Sequence, residues 1–201
     1  MARADDILTA AAELFFERGF GAVGVDQIGA KAGVTGPAIY RHFKGKDDIL
    51  GTLFDQGMDD VIRVTGGRFD DPHIELAHIC REHARHVLSK PHLASIWIRE
   101  DRSLVEPYRS AFIRRAIRYL ERWQECAGRA YPEADRERVA IAVDSVLGIL
   151  NSLPNWQREL TRTSGFLDLL TSHAVASFRW LVDAPEAGID SPLAAALAEP
   201  R

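Results

Sequence analysis

Apolar residues recur at helical spacing along most of this chain. The first predicted helix ends at Gly19 and carries one apolar stripe, formed by Ile7, Ala11, Leu14 and Phe15. Spacing of this kind is typical of an amphipathic helix, whereas the strict alternation of a half-buried strand is absent from the sequence. The pattern therefore predicts an all-α protein.

A turn and a basic helix follow. Gly33 can adopt the positive φ of a chain reversal, and Pro37 falls in the first turn of the next helix, where its missing N–H costs nothing. Thr35 occupies the N-cap position, where its hydroxyl can accept a backbone N–H. Ile39 and Phe43 share one face and anchor this helix, so its other face is free to meet a partner.

Charge is unevenly distributed along the sequence. The chain has 201 residues, with 25 Lys and Arg against 29 Asp and Glu, and its net charge of −4 argues against a general polyanion binder. Between Lys31 and Lys46, however, there are four Lys or Arg, one His and no acid. Two helices, a glycine turn and a basic, aromatic helix make up the helix-turn-helix arrangement, whose last helix enters the major groove of DNA.

This region resembles the DNA-binding domain of the TetR-type transcriptional regulators. The resemblance runs from Ile7 to Leu50 and rests on the motifs Phe15-x2-Arg18-Gly19-Phe20, Val25-Asp26-x-Ile28, Ala32-Gly33-Val34, Ile39-Tyr40-Arg41-His42-Phe43 and Lys46-x2-Ile49-Leu50. It implies that the residues at or beside the groove are Thr35, Gly36, Pro37, Ala38, Arg41 and Lys44. It also implies that phosphates are held by Tyr40, His42 and Lys46. Phosphate contacts set the register of such a protein on DNA, and base contacts set its sequence preference.

Two positions depart from that family's pattern. Gly36 has no side chain with which to bond a base edge, although the family often has a longer polar residue there. Gly24 replaces the usual Thr at the cap of the second helix, which weakens that helix start by a few tenths of a kcal/mol. Base reading is therefore expected to rely on Arg41, on Lys44, on DNA shape and on apolar contacts to thymine methyl groups.

The rest of the sequence predicts a helical bundle. Further helices are expected at residues 47–64, 72–88, 91–99, 107–127, 133–153 and 163–181, about nine helices in the whole chain. The predicted domains are a helix-turn-helix domain at 1–46, a ligand-binding and dimerisation domain at 47–182 and a loosely ordered tail at 183–201. No signal region, membrane span or disulfide framework is recognisable, which predicts a cytoplasmic protein.

Two of these helices predict a homodimer. Residues 139 to 150 are apolar nearly all round, so this helix must bury two faces, one in its own domain and one against a partner. By resemblance, it joins the last helix in the family's four-helix interface, whose members here are Val143, Leu147, Gly148, Leu150, Phe166, Leu170, Ala174 and Leu181. A central helix enclosed within a monomer is the alternative. A dimer would set its two recognition helices roughly 34 to 36 Å apart, one turn of DNA.

Aromatic residues are concentrated in the middle helices and indicate a ligand pocket. A pocket lined by several aromatics and a few polar groups is the usual form of a small-molecule site. The predicted ligand-binding residues are Phe54, His83, Trp97, Phe112, Tyr119, Trp123, Asp144 and Ser145, with Asn151 as a further polar candidate. Ordinary core packing of the aromatic stripe is the alternative.

Histidines raise the question of a metal site. His78, Glu82 and His86 are spaced four apart on one helix face, as metal ligands can be. The apolar stripe of that helix places Cys80 and His83 inward and the other three outward, so we predict a solvated face, no metal and no cofactor. A solvated face is likewise expected for Arg109, Arg114, Arg115, Arg118 and Arg122, with a second DNA surface or a site for a ligand's phosphates as the alternative.

These observations predict a dimeric, ligand-responsive transcriptional repressor that binds a palindromic operator on double-stranded DNA and is released by a small, largely apolar effector. Residues 88 to 100 resemble the family's regulators of lipid or steroid catabolism, which implies an acyl-CoA effector. No Gly-rich phosphate loop, nucleophile elbow or spaced carboxylate pair is present, so an enzyme is not expected. The alternative is a DNA-binding regulator that has no small-molecule effector and is constitutive or controlled by a protein partner.

Overall fold

A computed structural model describes residues 4 to 183, with side chains for residues 4 to 180. Within that range the regular structure is entirely helical. The ten α-helices are α1 (Ala4–Arg18), α2 (Val25–Ala32), α3 (Gly36–Ile39), α4 (Lys46–Val64), α5 (Pro72–Ser89), α6 (Pro91–Glu100), α7 (Tyr108–Ala130), α8 (Arg136–Asn151), α9 (Arg158–Thr161) and α10 (Phe166–Asp183). Short 3₁₀ turns follow α6, at Asp101–Ser103, and α8, at Leu153–Asn155.

The all-α prediction is confirmed, with one helix more than the expected nine. The additional element is α9, a single turn that carries no apolar periodicity. Of the predicted tail, residues 184 to 201 lie outside the described residues. No helix in the described part of the chain is both long and apolar enough to cross a membrane.

The first four helices pack around one hydrophobic core. Its fully buried members include Ile7, Phe15, Ile28, Ile39 and Ile49, and it also receives apolar side chains from the region of α6. Burying such side chains stabilises the small helices, which are too short to be stable alone. This core fixes the positions of α2 and α3, and so of the exposed residues that they carry.

The turn between α2 and α3 depends on close backbone approach. The Val34 N–H donates to the Gly29 carbonyl at 2.9 Å, and Gly33 adopts a φ of 72°. A Cβ on Gly29 would lie 2.9 Å from the Val34 carbonyl oxygen, so the turn requires a glycine there. Thr35 is the N-cap of α3 as predicted, but its hydroxyl makes no capping hydrogen bond.

The second core belongs to the larger bundle. α5 lies at its centre and contacts α4, α7, α8 and α10. Trp123, Cys80, Val146 and Phe178 are fully buried there. Both α5 and α8 start at aspartate caps, since Asp71 accepts the His73 N–H and Asp135 accepts the Arg138 N–H, each at 2.8 Å.

The orientation of α8 and α10 corrects part of the predicted dimer surface. Four of its members pack inside the subunit's own core, namely Val143, Leu150, Leu170 and Ala174. Leu147 and Phe166 are half-buried and Gly148 is exposed, while the side chain of Leu181 lies outside the described residues. The apolar residues that remain on the outer faces are different ones: Ile141 on α8 and Leu169 and Trp180 on α10, which are 51%, 72% and 70% exposed.

Replacing Gly29 with alanine tests the turn. The added methyl group meets the backbone of three consecutive residues, Val34 to Gly36, which lead directly into α3. G29A should therefore lower the free energy of unfolding by about 1 to 3 kcal/mol, as overpacking usually does. Urea denaturation followed by circular dichroism measures the change. G21A is the matched control, because a Cβ on Gly21 meets nothing within 4 Å. Equal stability of the two variants would contradict this account of the turn.

Candidate DNA interface and ligand cavity

The predicted DNA-contact residues form one outward surface around α3. Ile39 and Phe43 are buried beneath it, and the helix continues as a hydrogen-bonded turn in which the Phe43 N–H donates to the Ile39 carbonyl at 3.0 Å. Tyr40 is 60% exposed. The residues exposed with it are Thr35, Pro37, Arg41, His42 and Lys44, while Gly36, Ala38 and Lys46 are half-buried. The surface therefore offers a phenol, an imidazole and two cations side by side.

The cations of this region differ in their availability. Lys31 is paired with Glu13 at 2.9 Å, so its charge is largely neutralised within the protein. Lys46 donates from Nζ to the Phe20 carbonyl at 2.9 Å and lies 4.2 Å above the centre of the Phe20 ring. Arg41 and Lys44 form no ion pair with any residue that the structure describes. They are thus the cations freest to meet phosphates or base edges.

Gly36 has a structural reason to lack a side chain. A Cβ at this position would collide with the carboxylate of Asp26, which lies across the start of α3. A longer polar residue would have to displace that carboxylate. The position of the Asp26 carboxylate therefore explains why this chain has glycine where the family often has a longer polar residue.

Asp48 connects the DNA-side turn to the bundle. Its Oδ2 accepts the backbone N–H of Lys44 at 2.8 Å, and its Oδ1 accepts the Tyr108 hydroxyl at 2.7 Å. Gly51, one turn further along α4, leaves room for the Tyr108 ring, since a Cβ there would collide with it. The start of α7 is thereby linked through one carboxylate to the segment that follows α3.

α6 makes a second connection, to α1. The Arg99 guanidinium donates to the Phe16 carbonyl at 3.3 Å, and Glu100 accepts the Phe20 N–H at 3.0 Å. The His92 and Phe16 rings stack with their centres 4.4 Å apart. A movement of α6 would therefore displace α1, the helix that supports the DNA-binding surface.

The predicted aromatic residues divide between two packed groups. Phe54, Trp97 and Phe112 contact one another, with ring centres 4.8 to 6.1 Å apart. Tyr119 and Trp123 pack together deeper in the bundle, at 6.3 Å. Trp123 is fully buried, which favours core packing for that member of the predicted site.

A cavity of about 190 Å³ lies beside the first aromatic group. Its described lining comprises Val61, His83, His86, Val87, Leu93, Ala94, Trp97, Ile98, Phe112 and Asn151. It includes three predicted ligand-site residues, His83, Trp97 and Phe112, together with the polar candidate Asn151. Asp144 and Ser145 do not line it, because α8 turns its apolar side inward and exposes both residues. For these two the predicted orientation is corrected.

A buried polar chain crosses the bundle next to this cavity. Nδ1 of His83 lies 3.0 Å from the Tyr119 hydroxyl, and Nε2 lies 2.9 Å from Oδ1 of Asn151. The acceptor-only amide oxygen assigns the proton to Nε2, so the Tyr119 hydroxyl donates to Nδ1. Burial lowers the pKa of His83 to about 4, and the ring is neutral at pH 7.

The other predicted side-chain clusters are held by protein contacts. His78 donates to the Gly66 carbonyl at 3.1 Å and Glu82 pairs with Arg85, while His86 turns partly inward to the cavity. Among the described residues, no three His, Cys, Asp or Glu side chains are grouped as a metal ion would require. On α7, Arg115 pairs with Asp55 and Asp59 and Arg122 donates to the Gly67 carbonyl, whereas Arg109, Arg114 and Arg118 are exposed.

Sequence reasoning missed several contributors to these sites. The bridging role of Asp48 and the cavity wall formed by Val61, Leu93, Ala94 and Ile98 depend on how distant helices pack, which periodicity does not specify. Glycines inside the α4 helix were an available signal, because glycine in a helix interior costs about 1 kcal/mol relative to alanine and so suggests a close approach. Gly57 makes such an approach, since a Cβ there would collide with the Trp97 ring.

Comparison with known protein families identifies the class of protein to which this chain belongs. Residues 7–53 match the family model described as bacterial regulatory proteins of the tetR family, and residues 70–160 match that of the tetracyclin repressor-like C-terminal domain. The chain is thus a helix-turn-helix transcriptional regulator and not an enzyme. It belongs to the TetR family.

Individual relatives agree with this assignment. The transcriptional activator FasR of Mycolicibacterium smegmatis is 35% identical over 60 residues, which are 30% of this chain and 27% of that protein. The match therefore spans about a quarter of that relative's length. The TetR-family regulator PfmR of Thermus thermophilus has a similar fold, with a TM-score of 0.73 and 23% identity over 94% of this chain and all of that chain.

AibR, solved in complex with isovaleryl coenzyme A and operator DNA, also has a similar fold. Its TM-score is 0.73 with 20% identity, covering 86% of this chain and 96% of that chain. At this level of identity the two likenesses to solved structures establish the fold alone.

The buried His83 predicts a specific pH dependence of stability. A histidine in the unfolded chain has a pKa of about 6.5, so below that pH the unfolded state takes up a proton that the folded state, with its pKa near 4, does not. The free energy of unfolding should fall between about pH 6.5 and pH 4, by at most about 1.4 kcal/mol per pH unit for this residue. Urea titrations across this range measure the slope.

H83Q should flatten that slope, because glutamine does not titrate. H73Q is the control, since His73 is exposed. If the wild type and H83Q have the same pH dependence between pH 6.5 and pH 4, His83 is not held neutral by burial.

Proposed function

We propose that this protein is a dimeric, ligand-responsive transcriptional regulator that acts in the cytoplasm, binds a palindromic operator and is released from it by a small, largely apolar effector. Repression follows where the operator overlaps a promoter. The observation that carries the proposal is the exposed, basic surface around α3, joined by packed helices to a cavity in the bundle. The proposed units are a DNA-binding part at 1–46 and a sensing and dimerisation part at 47–182.

The DNA-binding role of the α3 surface is supported by its exposure and its charge. Arg41 and Lys44 extend from it without acidic partners among the described residues, on a chain whose net charge is −4. A local positive patch on an acidic body suits a protein that binds one site, since the body repels DNA elsewhere. Tyr40 and His42 stand beside these cations as donors for phosphate oxygens.

Release by an effector is supported by the contacts of α4 and α6. α4 begins beside the DNA-side turn at Lys46, and Val61 near its other end lines the cavity. α6 presents Ala94 and Trp97 to the same cavity while Arg99 holds α1. A ligand that shifts these helices needs a coupling of only about 1 to 3 kcal/mol to change operator affinity about 5- to 150-fold.

An acyl-coenzyme A effector is supported by one neighbour in fold. AibR was solved with isovaleryl coenzyme A and operator DNA together. The cavity here has a mainly apolar lining, which suits the acyl end of such a molecule. We propose that this protein responds to an effector of the same kind.

Dimerisation is supported by the apolar side chains on the outer faces of α8 and α10. Leu169, Trp180 and Ile141 are more than half exposed in the subunit. Large apolar side chains on neighbouring helix faces are typical of a surface that another protein covers. We propose that these residues, with Leu147, Gly148 and Phe166, form the contact between subunits, in place of the inward-facing residues that the sequence suggested.

Substitution of Arg41 tests the proposed base reading. The preferred operator is first identified by sequencing the DNA fragments that the purified protein retains. R41A should then reduce binding to that operator by about 1 to 3 kcal/mol and affect random DNA less, because a base contact is lost. Fluorescence anisotropy with both DNAs measures the difference. R162A, at an exposed arginine outside the α3 surface, is the control. Equal losses on operator and random DNA would exclude base reading by Arg41.

Lys46 is expected to behave differently. K46A should weaken all DNA sequences alike and reduce the salt slope of binding by about one, as the loss of one phosphate contact does. The measurement repeats the anisotropy titration at several salt concentrations. An unchanged slope would show that Lys46 contacts no phosphate and bonds only the Phe20 carbonyl.

Trp180 tests the proposed dimer surface. A charge buried in an apolar contact is strongly unfavourable, so W180D should shift the protein from dimer to monomer and weaken operator binding. Sedimentation velocity at several concentrations gives the oligomeric state. I117D is the control, because Ile117 on α7 is 50% exposed and lies outside the proposed contact. If the W180D protein remains dimeric, the dimer interface does not include Trp180.

A further inference from the structure

A groove of about 1060 Å³ runs along one side of α10. Its other walls are the first half of α5, the end of α7 and the loop that leads to α8. It shares no described lining residue with the 190 Å³ cavity. The volume equals that of roughly 35 water molecules at about 30 Å³ each, whereas the gaps between packed helices rarely exceed one. The groove is therefore large enough to hold a piece of polypeptide.

Small side chains make up most of the apolar lining of this groove. A helix can approach such a surface closely, because the distance between two helix axes is set by the side chains at their contact. Apolar surface of this kind also stabilises a protein when something covers it. Polar groups line the groove too, namely His73, Glu133 and Arg179. The small apolar members are Ala77, Ala130, Ala134, Val175 and Ala176.

The chain leaves α10 close to one end of the groove. Arg179, the last lining residue on α10, lies one turn before that helix ends at Asp183. Residues 184 to 201 follow and lie outside the described residues. A connection formed by residues 184 to 191 would span up to about 26 Å when extended. It is therefore long enough for the chain to turn back and enter the groove.

The sequence after this connection carries the signals of a short helix. Ser191 is a suitable N-cap, and Pro192 would occupy the first helical position. Pro200 would end the helix at Glu199, because the residue before a proline is disfavoured in a helix. A helix of residues 192 to 199 would be about 12 Å long at 1.5 Å per residue. This length matches the groove, whose wall on α10 from Thr171 to Arg179 also measures about 12 Å.

One face of this short helix would be apolar. Leu193 and Leu197 are four residues apart and share that face, and the positions between them are all alanine. A helix of two turns is not stable by itself in water, which is why composition alone predicts a loosely ordered tail. Burial of the two leucines against small apolar side chains would supply the missing stabilisation.

Charge favours the same placement. Because the chain must turn back after α10, the segment would run antiparallel to it and begin near Arg179. Asp190 would then come to the end of the groove that Arg179 lines, and opposite charges attract there. The proposed subunit contact does not account for the groove, since Leu169 and Trp180 are absent from its described lining.

We propose that residues 192 to 199 fold back as a helix into the groove of their own subunit, with Leu193 and Leu197 against its small apolar side chains. The docked helix covers the apolar lining and braces α10, which also carries residues of the proposed subunit contact. This inference is independent of the proposals on DNA binding and on the effector.

Hydrogen exchange of the full-length protein, followed by mass spectrometry, tests the docking directly. The amides of residues 195 to 199 should exchange at least about tenfold more slowly than in a free peptide of residues 184 to 201, because a docked helix holds its hydrogen bonds. Equal exchange rates in the protein and in the peptide would overturn the inference. This comparison uses the wild type and needs no variant.

A cysteine in the groove reports its occupancy from the other side. The thiol of A176C should react slowly with the reagent DTNB, and about tenfold faster when L197D is added, because a charge is unfavourable against an apolar surface. A195D is the matched control, since Ala195 lies on the helix face opposite the two leucines. The native Cys80 and Cys126 are buried and react slowly in every variant. Equal rates with and without L197D, or an equal increase with A195D, would contradict the docking.

A charge in the groove itself should release the segment. V175D is expected to raise the exchange of residues 195 to 199 to the rate of the free peptide. I113D is the control, because it places the same charge at an isoleucine on α7 that is 44% exposed and does not line the groove. Protection that persists in V175D would show that the segment docks elsewhere, and the inference would be wrong.

Mixed refolding distinguishes the subunit's own groove from that of a partner. ¹⁵N-labelled wild type is unfolded and refolded with an excess of unlabelled V175D, so that most labelled chains in a dimer face a V175D subunit. The labelled segment should remain protected, because its own groove is intact. Loss of its protection would mean that the segment enters the partner's groove, and would overturn the inference in favour of an exchange between two copies.

Discussion

The two hydrophobic cores of this protein meet at Trp97 and Phe112, and the rest of the structure depends on that contact. Both side chains pack against the core of the DNA-binding helices and against the core of the larger bundle. Gly57 makes the arrangement possible, since any side chain there would collide with the Trp97 ring. Interiors are packed too densely to absorb a displacement locally. Once the cavity beside these two rings is filled, a displacement of either ring must therefore be accommodated by moving a helix.

The helices that meet there are those that hold the DNA-binding surface. α6 carries Trp97 and is bonded to α1 through Arg99 and Glu100. α7 carries Phe112, and one turn earlier its Tyr108 bonds to Asp48, which also accepts the Lys44 N–H. The cavity borders both aromatic rings. Two short, hydrogen-bonded routes thus lead from the residues around the cavity to the DNA-binding helices, one from α6 to the end of α1 and one from α7 through Asp48 to Lys44 after α3.

Much of the fold could be predicted from the sequence, but much of the site could not. Apolar periodicity predicted the major helices to within a few residues, because each buries one stripe. It failed for α8, which is apolar nearly all round, so the pattern did not indicate that Val143 and Leu150 face the core while Ile141 remains outside. Local signals also could not predict that Asp48 meets Tyr108, 60 residues away. Such contacts arise only when helices pack.

The coupling of Trp97 to the DNA-binding surface is tested most directly by ¹⁹F NMR of the protein labelled with 5-fluorotryptophan, with and without operator DNA. Linkage between two sites is reciprocal, so operator binding must alter the junction just as a ligand would alter operator affinity. We predict that the Trp97 signal moves on operator binding, while that of Trp156, which packs on Phe166 away from the junction, stays in place. A Trp97 signal that does not change at saturation with operator would contradict the account.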